Sequence, residues 1–204
     1  MSLDEMAAAY HEQASESDEA LGYYIDGLGL STSVFEKHQL GWITEPVSPS
    51  HGKWTGMSVI PYMTAGPSDM VVALRAGAIM AEKAGRFDLG YIEHIFPLTS
   101  PRLRIYNVGN ALPGLRTTKV HMVEKIEDVL RLRNEGERAV GIPGFQNFHD
   151  WWAELFMHSE VVIHHDQSKP EAVNALQELL RRRRITFTEH VPMPVRDGTR
   201  MEEA

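Results

Sequence analysis

The stretch from residue 119 to residue 168 constrains the fold more than any other part of the chain. It contains three short apolar runs that each end in polar residues: Val120–Glu124, Ala139–Gly144 and Val161–Asp166. The segments between these runs have the apolar spacing of helices. Strands that alternate with helices imply crossover connections and a parallel sheet. A parallel sheet is covered on both faces, so its strands are continuously apolar. We therefore predict an α/β fold.

Carboxylates follow two of these predicted strands. Glu124 and Asp166 each stand at a strand end, and Asp128 comes one helical turn after Glu124. Ligands of parallel α/β sheets bind beyond the carboxyl ends of the strands. We therefore expect the three carboxylates to gather at one edge of the sheet. Without Lys or Arg partners they would repel one another, and a divalent cation would relieve that repulsion.

The order and spacing of these residues resemble the Toprim domain of bacterial-type DNA primases and type IA topoisomerases. That family carries Glu-Gly-x-x-Asp after its first strand and Asp-x-Asp after its third. Here the first motif is Glu124–Asp128, with Lys125 in place of Gly, and the second is Asp166–Ser168, with Ser in place of Asp. The turn that ends at Gly144 is similar to the glycine-rich turn of the second Toprim strand. The resemblance extends more weakly toward the N-terminus, in the manner of a primase core.

The resemblance implies a primase-type nucleotidyltransferase, a DNA-directed RNA polymerase that makes short RNA primers during DNA replication. Mg²⁺ or Mn²⁺ would be held by Glu124, Asp166 and Asp128, which would also be the catalytic residues. The implied partners are a single-stranded DNA template and ribonucleotides, with a replicative helicase or a second primase chain as a further partner. A Toprim nuclease, or a catalytically degenerate module that binds nucleic acid or a replication protein, is the alternative.

Two departures from the family pattern keep the degenerate alternative open. Lys125 replaces a Gly that lets substrate approach the backbone, and a Lys there could contact phosphate or pair with Glu124. Ser168 is a poor replacement for a carboxylate ligand. It fits instead a capping box that opens the next helix, with Pro170 near the first helical position.

The N-terminal half has the pattern of a smaller α+β subdomain. Met57–Tyr62 and Met70–Arg75 are strand signals joined by a hairpin-like connection. We predict a primase-core-like subdomain over residues 1–115, a Toprim domain with a parallel sheet flanked by helices over 116–190, and a tail over 191–204.

Three polar residues of this half match positions that the primase resemblance assigns to template or nucleotide. Arg75 ends the second strand of the hairpin, and Arg104 precedes Asn107 by three residues. The resemblance implies that these residues, together with Lys125, contact nucleic acid or nucleotide phosphate. The alternative is that they are ordinary exposed residues on strands.

Composition narrows the class of protein further. The net charge of −8 argues against nonspecific DNA binding over the whole surface but leaves room for a local basic groove. The absence of cysteine excludes the cysteine-based zinc modules that often precede primase cores. We therefore expect the type found on phages and mobile elements, which lacks the zinc-binding domain. Apolar runs too short for a bilayer and an acidic N-terminus predict a cytoplasmic protein that does not engage membranes.

Two further features allow competing interpretations. Arg181–Arg184 lie late in a predicted helix, where the helix dipole favours positive charge, but they could also touch phosphates. Trp151 and Trp152 lie in a segment with helical spacing, which predicts core and interface positions rather than a platform for base stacking.

Overall fold

A computed structural model of the chain describes residues 1–64, 70–83, 86–95, 105–111, 118–165 and 169–191. The α-helices are α1 (Leu3–Ser15), α2 (Asp18–Leu21), α3 (Thr32–Lys37), α4 (Ile126–Asn134) and α5 (Pro170–Arg182). The strands are β1 (Gly41–Trp42), β2 (Ser58–Met63), β3 (Val71–Lys83), β4 (Arg86–Ile95), β5 (Thr118–Val123), β6 (Ala139–Gly141), β7 (Ser159–His164) and β8 (Thr186–His190). A π-helix continues α2, and short 3₁₀ helices cover Pro49–Trp54, Val108–Asn110, Phe145–Asn147 and Asp150–Phe156.

The C-terminal half forms a parallel sheet with the strand order β6-β5-β7-β8. Every neighbouring pair in it is parallel; Val123 faces Gly141 across the first pair, and His164 faces His190 across the last. The α/β fold with a parallel sheet flanked by helices is thereby confirmed. The central strands are apolar on both sides because helices cover both faces.

Different helices pack on the two faces of the parallel sheet. Apolar side chains of β5 and β7 on one face share a core with α5 and with the 3₁₀ helix Asp150–Phe156. On the other face, Val123 packs in a second core with Ile126 and Leu130 of α4. The segment around Trp151 and Trp152, which was predicted to be helical, forms a 3₁₀ helix. Trp152 has the predicted core position, whereas Trp151 is exposed.

The N-terminal half is built on an antiparallel sheet in the order β1-β2-β3-β4. Strands β2 and β3 form the predicted hairpin, and β3 continues beyond Arg75 to pair with β4. Helix α1 packs on this sheet through Ala7 and Tyr10. The Ser31 hydroxyl accepts the Val34 N–H and caps the start of α3.

A continuous core joins the two halves. One cluster contains Phe35 and Tyr62 from the N-terminal half together with Val129 of α4. At its rim the Ser31 N–H donates to Asn134 Oδ1 at 2.7 Å. The predicted division at residue 115 falls outside the described residues, as does the tail beyond residue 191, so the domain boundaries stay a prediction.

None of the helices in the described part of the chain is long and apolar enough to cross a bilayer.

Candidate functional site

Glu124 lies at the carboxyl edge of the parallel sheet, between β5 and α4. Its Oε1 accepts the Phe145 N–H at 2.9 Å, and the Lys169 ammonium is 4.0 Å away. Phe145 belongs to the connection after β6, and Lys169 to the connection after β7. Three strand-end connections therefore meet at this carboxylate. The Glu124 side chain is 26% exposed, so solvent or a ligand reaches it.

A glycine shapes the turn that contacts Glu124. Gly144 has a φ of +81°, a conformation that side chains rarely adopt. It precedes the 3₁₀ helix Phe145–Asn147, whose first N–H is the one that points at Glu124. The glycine-rich turn expected from the sequence thus orients a backbone donor toward the carboxylate.

Asp128 lies on the first turn of α4, four residues after Glu124. Its side chain is 45% exposed, and its Oδ1 is 3.5 Å from Nη1 of Arg131. The third expected carboxylate, Asp166, and the neighbouring Ser168 lie outside the described residues. Among the residues that the structure does describe, no three histidine or acidic side chains form a group that could hold a metal ion.

The donor chemistry of this edge fits a hard divalent cation in part. Glu124 and Asp128 are partly exposed carboxylates, the ligand type that Mg²⁺ prefers, and Mg²⁺ keeps several waters when only one or two carboxylates bind it. Lys169 and the Phe145 N–H oppose the fit because an ammonium charge and a hydrogen bond already stabilise the Glu124 carboxylate.

Arg75 is buried and does not face solvent. Its side chain is 6% exposed and forms an ion pair with Glu127 on the first turn of α4. The structure contradicts the prediction that Arg75 contacts template or nucleotide. Its guanidinium group is enclosed, and Glu127 already neutralises its charge. Glu127 had no predicted role, although it lies inside the first Toprim-like motif.

Both members of this buried pair are ionised. Burial alone would raise the pKa of Glu127, but the charge and the hydrogen bond of Arg75 outweigh it and hold the pKa below its usual range. Tyrosine side chains surround the pair, and burial raises the pKa of Tyr62 to about 12. The low polarity of these surroundings makes the ion pair strong and the loss of either partner costly.

The remaining candidates for nucleic-acid contact differ in whether their side chains are free to bind a ligand. Asn107 Nδ2 donates to the Ala139 carbonyl at 2.9 Å, which fastens its segment to β6. Lys125 is exposed directly before α4 and forms no ion pair with Glu124 within the described residues. Arg104 lies outside the described residues.

A row of histidines crosses the sheet near its carboxyl edge. His121 Nδ1 of β5 and His164 Nε2 of β7 are 2.7 Å apart, and the His164 and His190 rings lie 4.6 Å apart. Burial, together with the charges of His121 and His190, lowers the pKa of His164 to about 4. His164 therefore packs between the histidines of the two neighbouring strands.

No protein-family model matches the chain, and no curated protein matches it. Several solved structures are similar to it. One is the Aquifex aeolicus primase, zinc-binding and RNA polymerase domains, with 18% identity and a TM-score of 0.62 over 94% of this chain. Another is the DnaG catalytic core, with 15% identity and a TM-score of 0.61 over 87% of this chain.

The chain spans 56% and 65% of the length of those two structures. At this level of identity the likeness establishes the fold. The chain therefore has the fold of a primase catalytic core, and the similarity extends over both the antiparallel and the parallel sheet.

Proposed function

We propose that this chain is a primase-like nucleotidyltransferase that synthesises short RNA primers on single-stranded DNA during replication. The observation that carries the proposal is a primase-core fold over nearly the whole chain with Glu124 at the carboxyl edge of its parallel sheet. In this proposal Glu124, Asp128 and Asp166 hold Mg²⁺ or Mn²⁺ and are the catalytic residues.

Primer synthesis requires a 3′-hydroxyl aligned with the α-phosphate of a ribonucleotide. A bound divalent cation would neutralise charge on the attacking and leaving oxygens. The chain itself would supply carboxylates to hold that cation and positive side chains to hold the phosphates. Lys125 and Lys169 suit the second task because both are exposed and flank Glu124. Arg104 stays a proposed contact for template or nucleotide, whereas Asn107 supports it by fixing the segment beside β6.

The proposal includes the wider setting of the protein. Single-stranded DNA and ribonucleotides are the proposed partners, with a replicative helicase or a second primase chain completing the machinery. We further propose that it is a primase-like protein of the type found on phages and mobile elements and that it acts in the cytoplasm.

A primer-synthesis assay tests this function directly. Labelled ribonucleotides, a single-stranded template and Mg²⁺ or Mn²⁺ should give short labelled products, and a chelator should abolish them. We expect Glu124→Gln to reduce incorporation to background because it removes a negative charge from the site. Glu12→Gln, at an exposed position of α1, is the matched control and should retain activity. Undiminished synthesis by the Glu124→Gln variant would contradict the assignment.

A degenerate, non-catalytic module is the second candidate, and the contact between Lys169 and Glu124 favours it. An ammonium group 4.0 Å from the carboxylate could occupy the place of a cation. Titration with Mn²⁺, followed by electron paramagnetic resonance, separates the two candidates. An active site should bind Mn²⁺ in the unmodified protein, whereas a degenerate site should bind it only after Lys169→Gln. DNA cleavage without synthesis would instead indicate a Toprim nuclease.

A further inference from the structure

A run of four arginines, Arg181–Arg184, closes α5 at a distance from Glu124. Helix α5 begins beside Lys169 and has 13 residues, so it is about 20 Å long at ~1.5 Å per residue. Because Lys169 is the residue near Glu124, the arginines lie at the far end of the helix. They belong to a different surface from the carboxylate edge.

An acidic residue ties this run to a neighbouring element. Asp150, at the start of the 3₁₀ helix Asp150–Phe156, accepts a hydrogen bond from Arg182 at 3.0 Å and another from Arg183. The Arg182 and Arg183 side chains are still 70% and 37% exposed. Asp150 therefore neutralises part of the positive charge without covering it.

The other two arginines also stay available at the surface. The guanidinium group of Arg181 lies over the Phe187 ring, 5.1 Å from its centroid, and the residue is exposed. Arg184 is exposed and forms no ion pair with any residue that the structure describes. In a chain with a net charge of −8, four consecutive arginines make this end of α5 locally positive, and Arg182 and Arg183 converge on Asp150.

An exposed tryptophan follows the acidic residue that binds Arg182 and Arg183. Trp151 follows Asp150 directly and is 63% exposed, whereas Trp152 is 2% exposed in the core. The His149 ring is nearly parallel to the Trp151 ring, at 18° with centroids 6.2 Å apart. A large aromatic ring in solvent beside guanidinium groups is the combination that binds single-stranded nucleic acid, by stacking on bases and pairing with phosphates.

We propose that Trp151 and Arg181–Arg184 form a second binding surface for single-stranded nucleic acid, separate from the Glu124 edge. We call it the arginine–tryptophan surface. The Trp151 indole stacks on a base, and the guanidinium groups contact the adjoining phosphates. An acidic protein would satisfy the arginines but gives no reason for the exposed indole, so a single strand is the better match.

The ion pairs of Asp150 predict the sign of one mutational effect on binding. Its carboxylate competes with phosphate for Arg182 and Arg183, so removal of that charge should strengthen binding. A surface that serves only to hold α5 against the 3₁₀ helix would gain nothing from the same change.

Fluorescence anisotropy with a labelled oligodeoxythymidine tests the arginine–tryptophan surface. The measurement is made with chelator present and in the Glu124→Gln background, so neither metal nor turnover contributes. We expect Trp151→Ala to weaken binding about 5-fold to 150-fold, the range for the loss of one stacked base, and Trp151→Phe to retain most of it. Arg184→Gln should weaken binding and lower its salt dependence. Asp150→Asn should tighten it.

Lys37→Gln, which removes one exposed positive charge from α3, is the matched control for Arg184→Gln and should leave affinity unchanged. Trp151 is exposed, so thermal melting should show that its variants fold. Unchanged affinity in Trp151→Ala or Arg184→Gln, or absence of binding by the parent protein, would overturn the proposal. Displacement of the oligonucleotide by polyglutamate at equal charge concentration would also overturn it. The surface would then bind any polyanion through charge, without a contribution from base stacking. None of these results depends on primer synthesis.

Discussion

At the scale of single residues, the ion pair of Arg75 and Glu127 places two opposite charges in the buried interior. Transfer of two charges from water into a poorly polar interior is unfavourable by several kcal/mol per ion. Mutual attraction offsets this only while both partners are present. The pair joins β3 of the antiparallel sheet to the first turn of α4, the turn that also carries Asp128.

Removal of one partner should therefore destabilise the fold strongly. We expect Glu127→Gln to lower the free energy of unfolding by about 3 to 5 kcal/mol, because it leaves the Arg75 charge buried and unmatched. The double variant Arg75→Met/Glu127→Met should recover most of that loss. Urea denaturation of the single and double variants measures both effects.

Asp128→Asn serves as the comparison for this prediction. Its partner Arg131 is close by on the surface of the same helix, and such pairs contribute about 0.5 kcal/mol or less. Equal stability of Glu127→Gln and the unmodified protein would show that the buried pair does not hold the two halves together.

The position of Glu124 could be predicted from the sequence, but the role of Glu127 could not. A carboxylate directly after a buried parallel strand must lie at the carboxyl edge of the sheet, whatever the rest of the chain does. The partner of Arg75 is 52 residues away and on another element, so no spacing rule connects the two. The position of Asp166 stays a prediction.

At the scale of elements, α1 packs against β1 without room for a side chain at Gly41. A Cβ there would lie 2.9 Å from the Tyr10 Cβ, an atom fixed by the helix backbone. We expect Gly41→Ala to lower the free energy of unfolding by about 1 to 3 kcal/mol through overpacking. Thermal or urea denaturation measures the change.

Gly22→Ala is the matched substitution, because nothing lies within 4 Å of the added Cβ and the backbone there is right-handed. It should be neutral or slightly stabilising. A Gly41→Ala variant as stable as Gly22→Ala would mean that α1 moves away from β1 at little cost.

The parallel strands could be predicted from the sequence, but the type of one helix could not. Continuous apolar runs of strand length, separated by helical patterns, fit few arrangements besides a parallel sheet. The apolar residues of Asp150–Phe156 have helical spacing. The segment is nevertheless a 3₁₀ helix, in which backbone hydrogen bonds join residues three apart and not four apart. Apolar spacing does not distinguish these two cases over seven residues. The exposure of Trp151 therefore does not follow from the spacing.

At the scale of the whole molecule, a buried histidine lies beside the core that joins the two halves, and its burial should make stability sensitive to acid. His38, after α3, shares a hydrogen bond with the Tyr106 hydroxyl, and the two atoms are 2.9 Å apart. Burial, with smaller contributions from the charges of Arg133 and Lys37, lowers the pKa of His38 to about 4. The folded protein therefore keeps this histidine neutral down to about pH 4.

The unfolded chain protonates His38 below about pH 6.5, so it binds more protons than the folded chain between the two pKa values. The contribution of His38 to stability is thus complete above about pH 6.5, declines with falling pH and is lost near pH 4. The loss is on the order of 3 kcal/mol. We expect His38→Asn to flatten this part of the stability profile, as measured by urea denaturation across pH.

His158→Asn, at an exposed position, should leave the profile as it is. An unchanged slope in His38→Asn would assign the acid sensitivity to other groups.

The contact between residues 75 and 127 has a consequence for how the protein is made on the ribosome. Arg75 leaves the peptidyl-transferase centre 52 residues before its counter-ion is synthesised. At ~5–20 residues per second, that interval is about 3 to 10 s. During that interval the Arg75 guanidinium has no counter-ion. Either it stays hydrated and the tyrosines around it stay partly exposed to solvent, or a chaperone binds the unfinished sheet. Synonymous codons that slow translation between these positions should therefore lower the soluble yield.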